Sequence, residues 1–491
     1  MRALLKNAGS FGENTAVVVE DQRFPFRTLL EKSETVASAL LGSKLDLAEA
    51  RVAFMVRPGF EYVAAQWGIW RAGGVAVPLC VDHPPPALQH IILDARVSMV
   101  VCDDEFFDIL KPLALEANAR IISVKECLDS SLKTLPNVSP DRRAMMLYTS
   151  GSTSLPKGVV TTHANIEAQI KTLVEAWEWR ADDHILCTLP LHHIHGVINV
   201  VSCALWSGAC VEFLPKFEPQ AVFEKFLFGK VNLFMAVPTI YFKLIHHYES
   251  LPAAEQREIS QALRRFRLMV SGSAALPVSV LEKWREISGH TLLERYGMTE
   301  IGMALSNPYH GERRAGFVGQ PLPSVEVRLV DESGQDVPEG AQGEIWVKGP
   351  SVFCEYWGQP DATRESFVEG WFRTGDVAIR ENGSYRILGR LSVDIIKSGG
   401  YKISALEIEE VLLRHPGSQE CAVIGVPDDE WGEVVAAGIV PAAGDLRAEE
   451  IAIWAKQRLP KYKIPRKIIF RQSLPRNAMG KVTKNVLKEM F

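Results

Sequence analysis

The chain lacks paired cysteines, a leader-like apolar run and low-complexity tracts, and each absence removes a class of protein. Its eight cysteines (Cys80, Cys102, Cys127, Cys187, Cys203, Cys210, Cys354 and Cys421) are scattered without a CxxC pair. That spacing excludes a zinc-ribbon or disulfide framework and reads as buried thiols in a reducing compartment. Between Met1 and Gln22 only Arg2 and Lys6 are basic, and no long apolar region follows them. No signal or transit peptide is therefore expected, and the expected location is cytoplasmic. A net charge of -5 argues against a nucleic-acid binder. From Leu191 to Val211 there is no Asp, Glu, Lys or Arg, a length that can span a bilayer. His192, His193, His195, Asn199, Ser202 and Ser207 lie inside it, so it reads as a core helix leading into a buried strand, and no membrane span is expected.

What remains is a chain of 491 residues, 47% apolar and 23% charged, too long for one core and apolar enough for at least two folded units. Strand-like runs alternate with helical periodicity at Val52–Val56, Phe60–Arg71, Val75–Pro78, Met99–Cys102 and Leu233–Val237. Such alternation predicts an α/β fold with largely parallel sheets. From about Gly316, short strands at Val325–Val330, Gly343–Val347 and Tyr385–Leu388 between Gly, Pro, Asn and Asp turns predict a β-rich, barrel-like subdomain. A compact α/β tail follows, with helices at Ala405–Leu413 and Ala448–Leu459 and a strand at Cys421–Gly425. The expected boundaries are 1–389 and 390–491. Eleven Lys or Arg against one acid between Lys456 and Phe491 predict a basic surface for a phosphorylated small molecule.

The strongest local signal is Tyr148-Thr149-Ser150-Gly151-Ser152-Thr153-Ser154-Leu155-Pro156-Lys157-Gly158. Glycines let backbone N–H groups approach oxygens, hydroxyls donate further bonds and Lys157 adds positive charge, which together suit a polyphosphate. The GxxxxGK[ST] pattern is absent, so this is not a Walker A loop. On composition alone a linker and a phosphate cradle are equally good readings.

This segment resembles the phosphate loop of the adenylate-forming superfamily of acyl-CoA synthetases, and further signatures of that superfamily follow in order. Glu294-Arg295-Tyr296-Gly297-Met298-Thr299-Glu300 resembles its adenylate-site motif and Gly370-Trp371-Phe372-Arg373-Thr374-Gly375-Asp376 its ribose motif. Gly389-Arg390 through Gly399-Gly400-Tyr401-Lys402 resembles the hinge and thiolation motif, and Pro475-Arg476-Asn477-Ala478-Met479-Gly480-Lys481 the catalytic-lysine motif. The resemblance implies a large N-terminal domain of two α/β subdomains plus a β-barrel-like piece, and a small mobile C-terminal lid that pivots near Arg390–Val393. It also implies ATP, Mg²⁺ and coenzyme A as reactants and cofactor. Thr149, Ser150, Gly151, Ser152, Thr153 and Lys157 would hold the phosphates, Ser273, Glu294, Arg295, Tyr296 and Thr299 the adenylate, and Asp376 and Arg390 the ribose. Glu300 is the implied Mg²⁺ ligand and Lys481 the cation bridging carboxylate and α-phosphate, with Thr149 and Lys157 also catalytic. Gly399, Gly400, Lys402 and Arg466 are the implied coenzyme A contacts. Two departures stand out: Ser154 replaces a usual glycine, and Ser392-Val393 occupies the hinge where Lys or Asp is common. Read for itself, Asp376 is a carboxylate at a turn, and Glu300 ends a strand-like run.

Arg295 points to the substrate. A guanidinium near a buried site is costly without an anion, and its fork suits a carboxylate, here the second one of a dicarboxylic acid. His193 matches the family's acyl-pocket position, with Met298 and Ser271 beside it, whereas His192 and His195 read as satisfied core histidines. The segments LPLHHIHG, FMAVPTIY, VSGSAALP and LLERYGMTE resemble malonyl-CoA synthetases, which implies malonate, with methylmalonate as a further substrate. Ligation of another short acid and loading of a separate carrier protein stay open as alternatives, as does monomer against dimer.

Overall fold

In a computed structural model, which describes residues 2–149, 156–214, 216–442, 446–476 and 482–491, strands gather into four sheets. Two are mainly parallel because helices cross over between successive strands. The nine-stranded sheet runs Gln320–Pro321, Gly302–Ser306, Leu293–Met298, Leu268–Ser271, Leu233–Ala236, His184–Cys187, Cys210–Phe213, Thr15–Val19 and Gln22–Pro25. Its six inner strands are parallel, and antiparallel strands close both edges. The seven-stranded sheet runs Glu355–Tyr356, Lys157–Thr162, Arg143–Thr149, Val75–Pro78, Arg51–Met55, Met99–Cys102 and Arg120–Ser123. Burial on both faces explains why Val75–Pro78, Met99–Cys102 and Leu268–Ser271 read as unbroken apolar runs rather than alternating ones.

The helix Phe60–Arg71 fills the space beside both sheets, with Trp67 and Trp70 almost fully buried in the largest apolar cluster. The charge-free stretch is buried as expected: a π-helical segment His195–Ser202 continues into the helix Cys203–Ser207 and the strand Cys210–Phe213. Among the described residues no helix is long and apolar enough to cross a membrane. Of the cysteines, Cys354 departs from expectation, since it is exposed and Cys210 only partly buried.

The β-rich region is an antiparallel sheet of Glu326–Val330, Gly343–Lys348, Trp371–Glu381, Phe367–Val368 and Ser384–Arg390. Beyond it, Tyr401–Ser404, Ile395–Ser398, Gly432–Pro441, Ser418–Asp428 and Lys467–Phe470 form a fourth sheet with its own core around Ile403, Ile408, Val423 and Ile451. The chain thus has a large N-terminal part and a small C-terminal domain. The helix Ala405–Leu413 has the expected bounds because Ser404 caps it, accepting the Glu407 N–H at 3.3 Å. The second helix ends earlier than expected, at Ala448–Lys456.

Candidate active site

The candidate residues converge where the C-terminal ends of parallel strands open, the usual ligand position of such sheets. Thr149 ends one strand of a hairpin and Lys157 begins the other, and the two are register partners. Ser150, Gly151, Ser152 and Thr153 lie outside the described residues, as does Lys481. The Lys157 ammonium sits 5.3 Å from the centre of the Tyr356 ring, and the Tyr356 hydroxyl donates to Glu300 Oε1 at 3.0 Å. Tyr356 carries no sequence signal. It arrives because Glu355–Tyr356 adds an antiparallel strand to the Lys157–Thr162 edge. Glu300 is buried in the turn after Leu293–Met298, and burial raises its pKa against the opposing field of Arg390. Burial disfavours its ionised form, which a divalent cation at this position would stabilise.

Asp376 corrects the turn reading: it lies within the strand Trp371–Glu381, paired in register with Arg390. The Arg390 Nε donates to Asp376 Oδ1 at 3.0 Å and the Tyr296 hydroxyl to Oδ2 at 2.7 Å. Both carboxylate oxygens are therefore held from below, which fixes the direction of their remaining lone pairs. Arg390 also donates to the Thr374 carbonyl at 2.7 Å, and its own N–H donates to Asp394 Oδ2 at 3.0 Å.

Arg295 is 3% exposed. Its guanidinium lies against Gly272, where a Cβ would stand 2.5 Å from Arg295 Cζ, so only glycine allows this approach. Arg295 Nη2 donates to Ser273 Oγ at 3.3 Å, and His195 Nδ1 meets the same hydroxyl at 3.2 Å. Arg295 Nε, His195 Nε2 and Ser271 Oγ are buried with no hydrogen-bond partner among the described residues. His195 is thus not the satisfied core histidine the sequence suggested, because the π-helical turn delivers it to the arginine. Burial pulls the Arg295 pKa down to about 9 and lowers that of His195, with Arg295 adding to the latter effect. Glu294, on the other face of the strand, accepts the Leu276 N–H at 3.0 Å, and burial pushes it up to about 8. Met298 and Thr299 follow at the half-buried strand end, and the His193 ring lies tilted against that of His192 with ring centres 4.0 Å apart.

On the small domain, Gly399 (φ 54°) packs against Trp431, over whose ring Arg466 lies at 4.3 Å. Gly400 follows at φ 84°, while Lys402 pairs instead with Glu332, in the turn after the strand Glu326–Val330, at 2.8 Å. The basic tail is less basic than its composition: Lys463, Arg476, Lys484 and Lys488 pair with Glu407, Glu420, Asp394 with Glu409, and Glu433.

Two α/β layers, Asp376 held on the β-rich sheet and Lys157 close to Tyr356 and Glu300 agree with the arrangement that the resemblance to adenylate-forming enzymes implies. The AMP-binding enzyme family model matches residues 4–357 and the AMP-binding enzyme C-terminal domain model matches 407–481. The chain belongs to the AMP-binding enzyme family. It is 44% identical to the mitochondrial malonate–CoA ligase ACSF3 of Xenopus laevis, covering 99% of this chain and 92% of that protein. It is 41% identical to a malonate–CoA ligase of Arabidopsis thaliana over 90% of this chain and 78% of that one. Among solved structures, ATP-bound MatB from Rhodopseudomonas palustris superposes with a TM-score of 0.91 at 32% identity, covering 99% and 98% of the two chains.

Proposed function

We propose that this chain is a malonate–CoA ligase that forms malonyl-CoA through an acyl-adenylate, releasing pyrophosphate and AMP. Relatives bearing that activity in their names match along nearly the whole chain. The observation that carries the substrate class is Arg295, a buried guanidinium whose Nε has no partner among the described residues. A second carboxylate satisfies it, whereas a monocarboxylic acid leaves it bare. Ser271, His193 and Met298 complete the acyl pocket, and His195 holds Ser273 in place for the arginine.

In the first half-reaction one malonate carboxylate attacks the α-phosphorus in line, and the bond to pyrophosphate breaks. Thr149 and Lys157, with Ser150, Gly151, Ser152 and Thr153 between them, hold the phosphates. Glu294, Tyr296 and Thr299 line the adenylate, and Asp376 accepts from the ribose hydroxyls. Glu300 is the residue to hold Mg²⁺, which when bound neutralises phosphate charge. Lys481 supplies a cation between the two approaching anions. In the second half-reaction the coenzyme A thiol attacks the acyl carbon and AMP leaves, with Gly399, Gly400, Lys402 and Arg466 on the presented face.

We place the domain boundary between residues 389 and 390 and the pivot at Arg390–Val393. Leu391 and Ser392 are exposed, and the segment is tied at one end to Gly375 and Asp376 and at the other, through Asp394, to Lys484. The free thiols favour a reducing setting, and on that ground we assign the enzyme to the cytoplasm.

Arg295→Met tests the substrate. Leaving the distal carboxylate buried and unpaired costs about 3 to 5 kcal/mol, so kcat/KM for malonate falls by about two to four orders of magnitude. Butyrate carries no second charge, and its use falls little or improves. Parallel declines for malonate and butyrate would refute a dicarboxylate pocket.

A further inference from the structure

Cys80 and His83 follow the strand Val75–Pro78 of the seven-stranded sheet, and His192 follows His184–Cys187 of the nine-stranded sheet. The crossing of the two layers brings these distant segments together. One ligand atom from each, Cys80 Sγ and a ring nitrogen of each histidine, lies within 4.8 Å of the others. A tetrahedral site with bonds of about 2.0 to 2.3 Å has edges of roughly 3.3 to 3.8 Å, so side-chain shifts of about 1 Å close it.

The local geometry suits a cation. Cys80 to His83 is a turn, with the His83 N–H donating to the Cys80 carbonyl at 3.2 Å. His83 Nδ1 is buried and has no hydrogen-bond partner among the described residues. The rings of His83 and His192 lie 5.7 Å apart, centre to centre, so both imidazoles face the same space as the Cys80 sulfur. The proposed reaction uses none of the three residues.

We propose that Cys80, His83 and His192 form a binding site for a thiolate- and imidazole-preferring divalent cation, with Zn²⁺ as the type. One thiolate and two imidazoles are the donor set of such a cation and not of Mg²⁺, which demands oxygen. The scattered cysteine spacing gave no sign of it, because the third ligand comes from another layer. The site clips the loop after Cys187 to the seven-stranded sheet. That loop already has one anchor on the same side, the buried Tyr62 hydroxyl donating to the Leu191 carbonyl at 2.7 Å. Since His192 lies against His193, with the rings tilted by 52°, a bound cation fixes the loop that carries the proposed acyl-pocket histidine.

The test is a Co²⁺ titration of the chelator-stripped, full-length enzyme, watching thiolate-to-cobalt charge-transfer absorption. The site binds one cobalt per chain, shows that absorption and releases the cobalt to Zn²⁺. Cys80→Ser abolishes the absorption, and both it and His83→Gln weaken cobalt affinity by at least about tenfold. Cys354→Ser, which removes the exposed thiol, changes neither. Zn²⁺ raises the thermal midpoint of the parent and of Cys354→Ser but not of Cys80→Ser. Undiminished charge-transfer absorption in Cys80→Ser, its loss in Cys354→Ser, or cobalt affinity unchanged in His83→Gln would each overturn the site. The His83→Gln result decides the matter even where Cys80→Ser folds poorly.

Discussion

The neighbourhood of Arg295 and the cluster around Lys484 both bury charge, and they resolve it in opposite ways. In the small domain Lys484 Nζ lies 2.6 Å from Asp394 Oδ1 and 2.6 Å from Glu409 Oε1. Glu409 also accepts the Val423 N–H at 2.7 Å, and Asp394 the Arg390 N–H. Each of these three charges has a partner of opposite sign within the fold. In the large domain Glu294 Oε2, Arg295 Nε, His195 Nε2 and Ser271 Oγ are all buried with no partner among the described residues. Each such atom costs roughly 1 to 3 kcal/mol. Three of them sit on the adjacent strands Leu268–Ser271 and Leu293–Met298 and the fourth on the π-helical segment beside them, a concentration that suits something that is not part of the chain. Here the paired cluster serves the architecture, and the unpaired groups gathered around Arg295 are the ones assigned to the proposed site.

One substitution applied to both regions separates them most sharply. Lys484→Met strands two carboxylates in the small domain and should cost about 3 to 5 kcal/mol of its stability. Urea unfolding and limited proteolysis of residues 390–491 measure that loss. Arg295→Met, which is so damaging to malonate turnover, should leave the urea midpoint unchanged or higher, because it removes a guanidinium the fold does not satisfy. Equal destabilisation by both would erase the distinction.

A step smaller is Asp376→Ala. Losing a charged acceptor of ribose hydroxyls costs about 1.5 to 3 kcal/mol, which raises the KM for ATP by about ten- to a hundredfold. The ranking of acids stays the same, since the ribose carries no information about the acyl group. A changed acid preference in steady-state kinetics would contradict this position for Asp376.

The smallest difference between neighbouring measurements is expected from Glu294. Burial raises its folded pKa from 4.5 to about 8, so the folded state holds a proton that the unfolded chain has released. The resulting stability is complete below pH 4.5 and is lost as pH rises through 8, by at most about 1.4 kcal/mol per pH unit. Glu294→Gln has no such group, so the stability of the parent relative to this variant should decline from pH 5 to pH 8. A difference that is flat with pH would mean that Glu294 is ionised in the fold.

Consecutive residues made much of this legible from sequence. The Thr149 to Lys157 loop, the Glu294 to Glu300 segment and the Thr374 to Asp376 segment each hold their chemistry within a few positions, so the residue types are visible together. The helix at Ala405–Leu413 was readable because its cap and apolar period are local. Asp376 was misread because Thr-Gly-Asp has turn composition, while the pairing of Trp371–Glu381 with strands on both sides overrides that preference. The basic tail was overread because the acids that neutralise it, Glu407, Glu409, Glu420 and Glu433, precede it in the chain.

By itself, then, the amino-acid order determined the alternation of strands and helices, the family signatures and the chemical character of each loop, all of which depend on short-range periodicity and composition. Tertiary structure alone decided which groups meet. Tyr356 reaches Glu300 and Lys157 through an added edge strand, His195 reaches Ser273 through a π-helical turn, and Gly272 opens the space for Arg295. It also decided which charges are spent within the fold and which are left for a ligand. Those outcomes follow from packing two sheets against one another, which sets distances between residues that the chain keeps far apart.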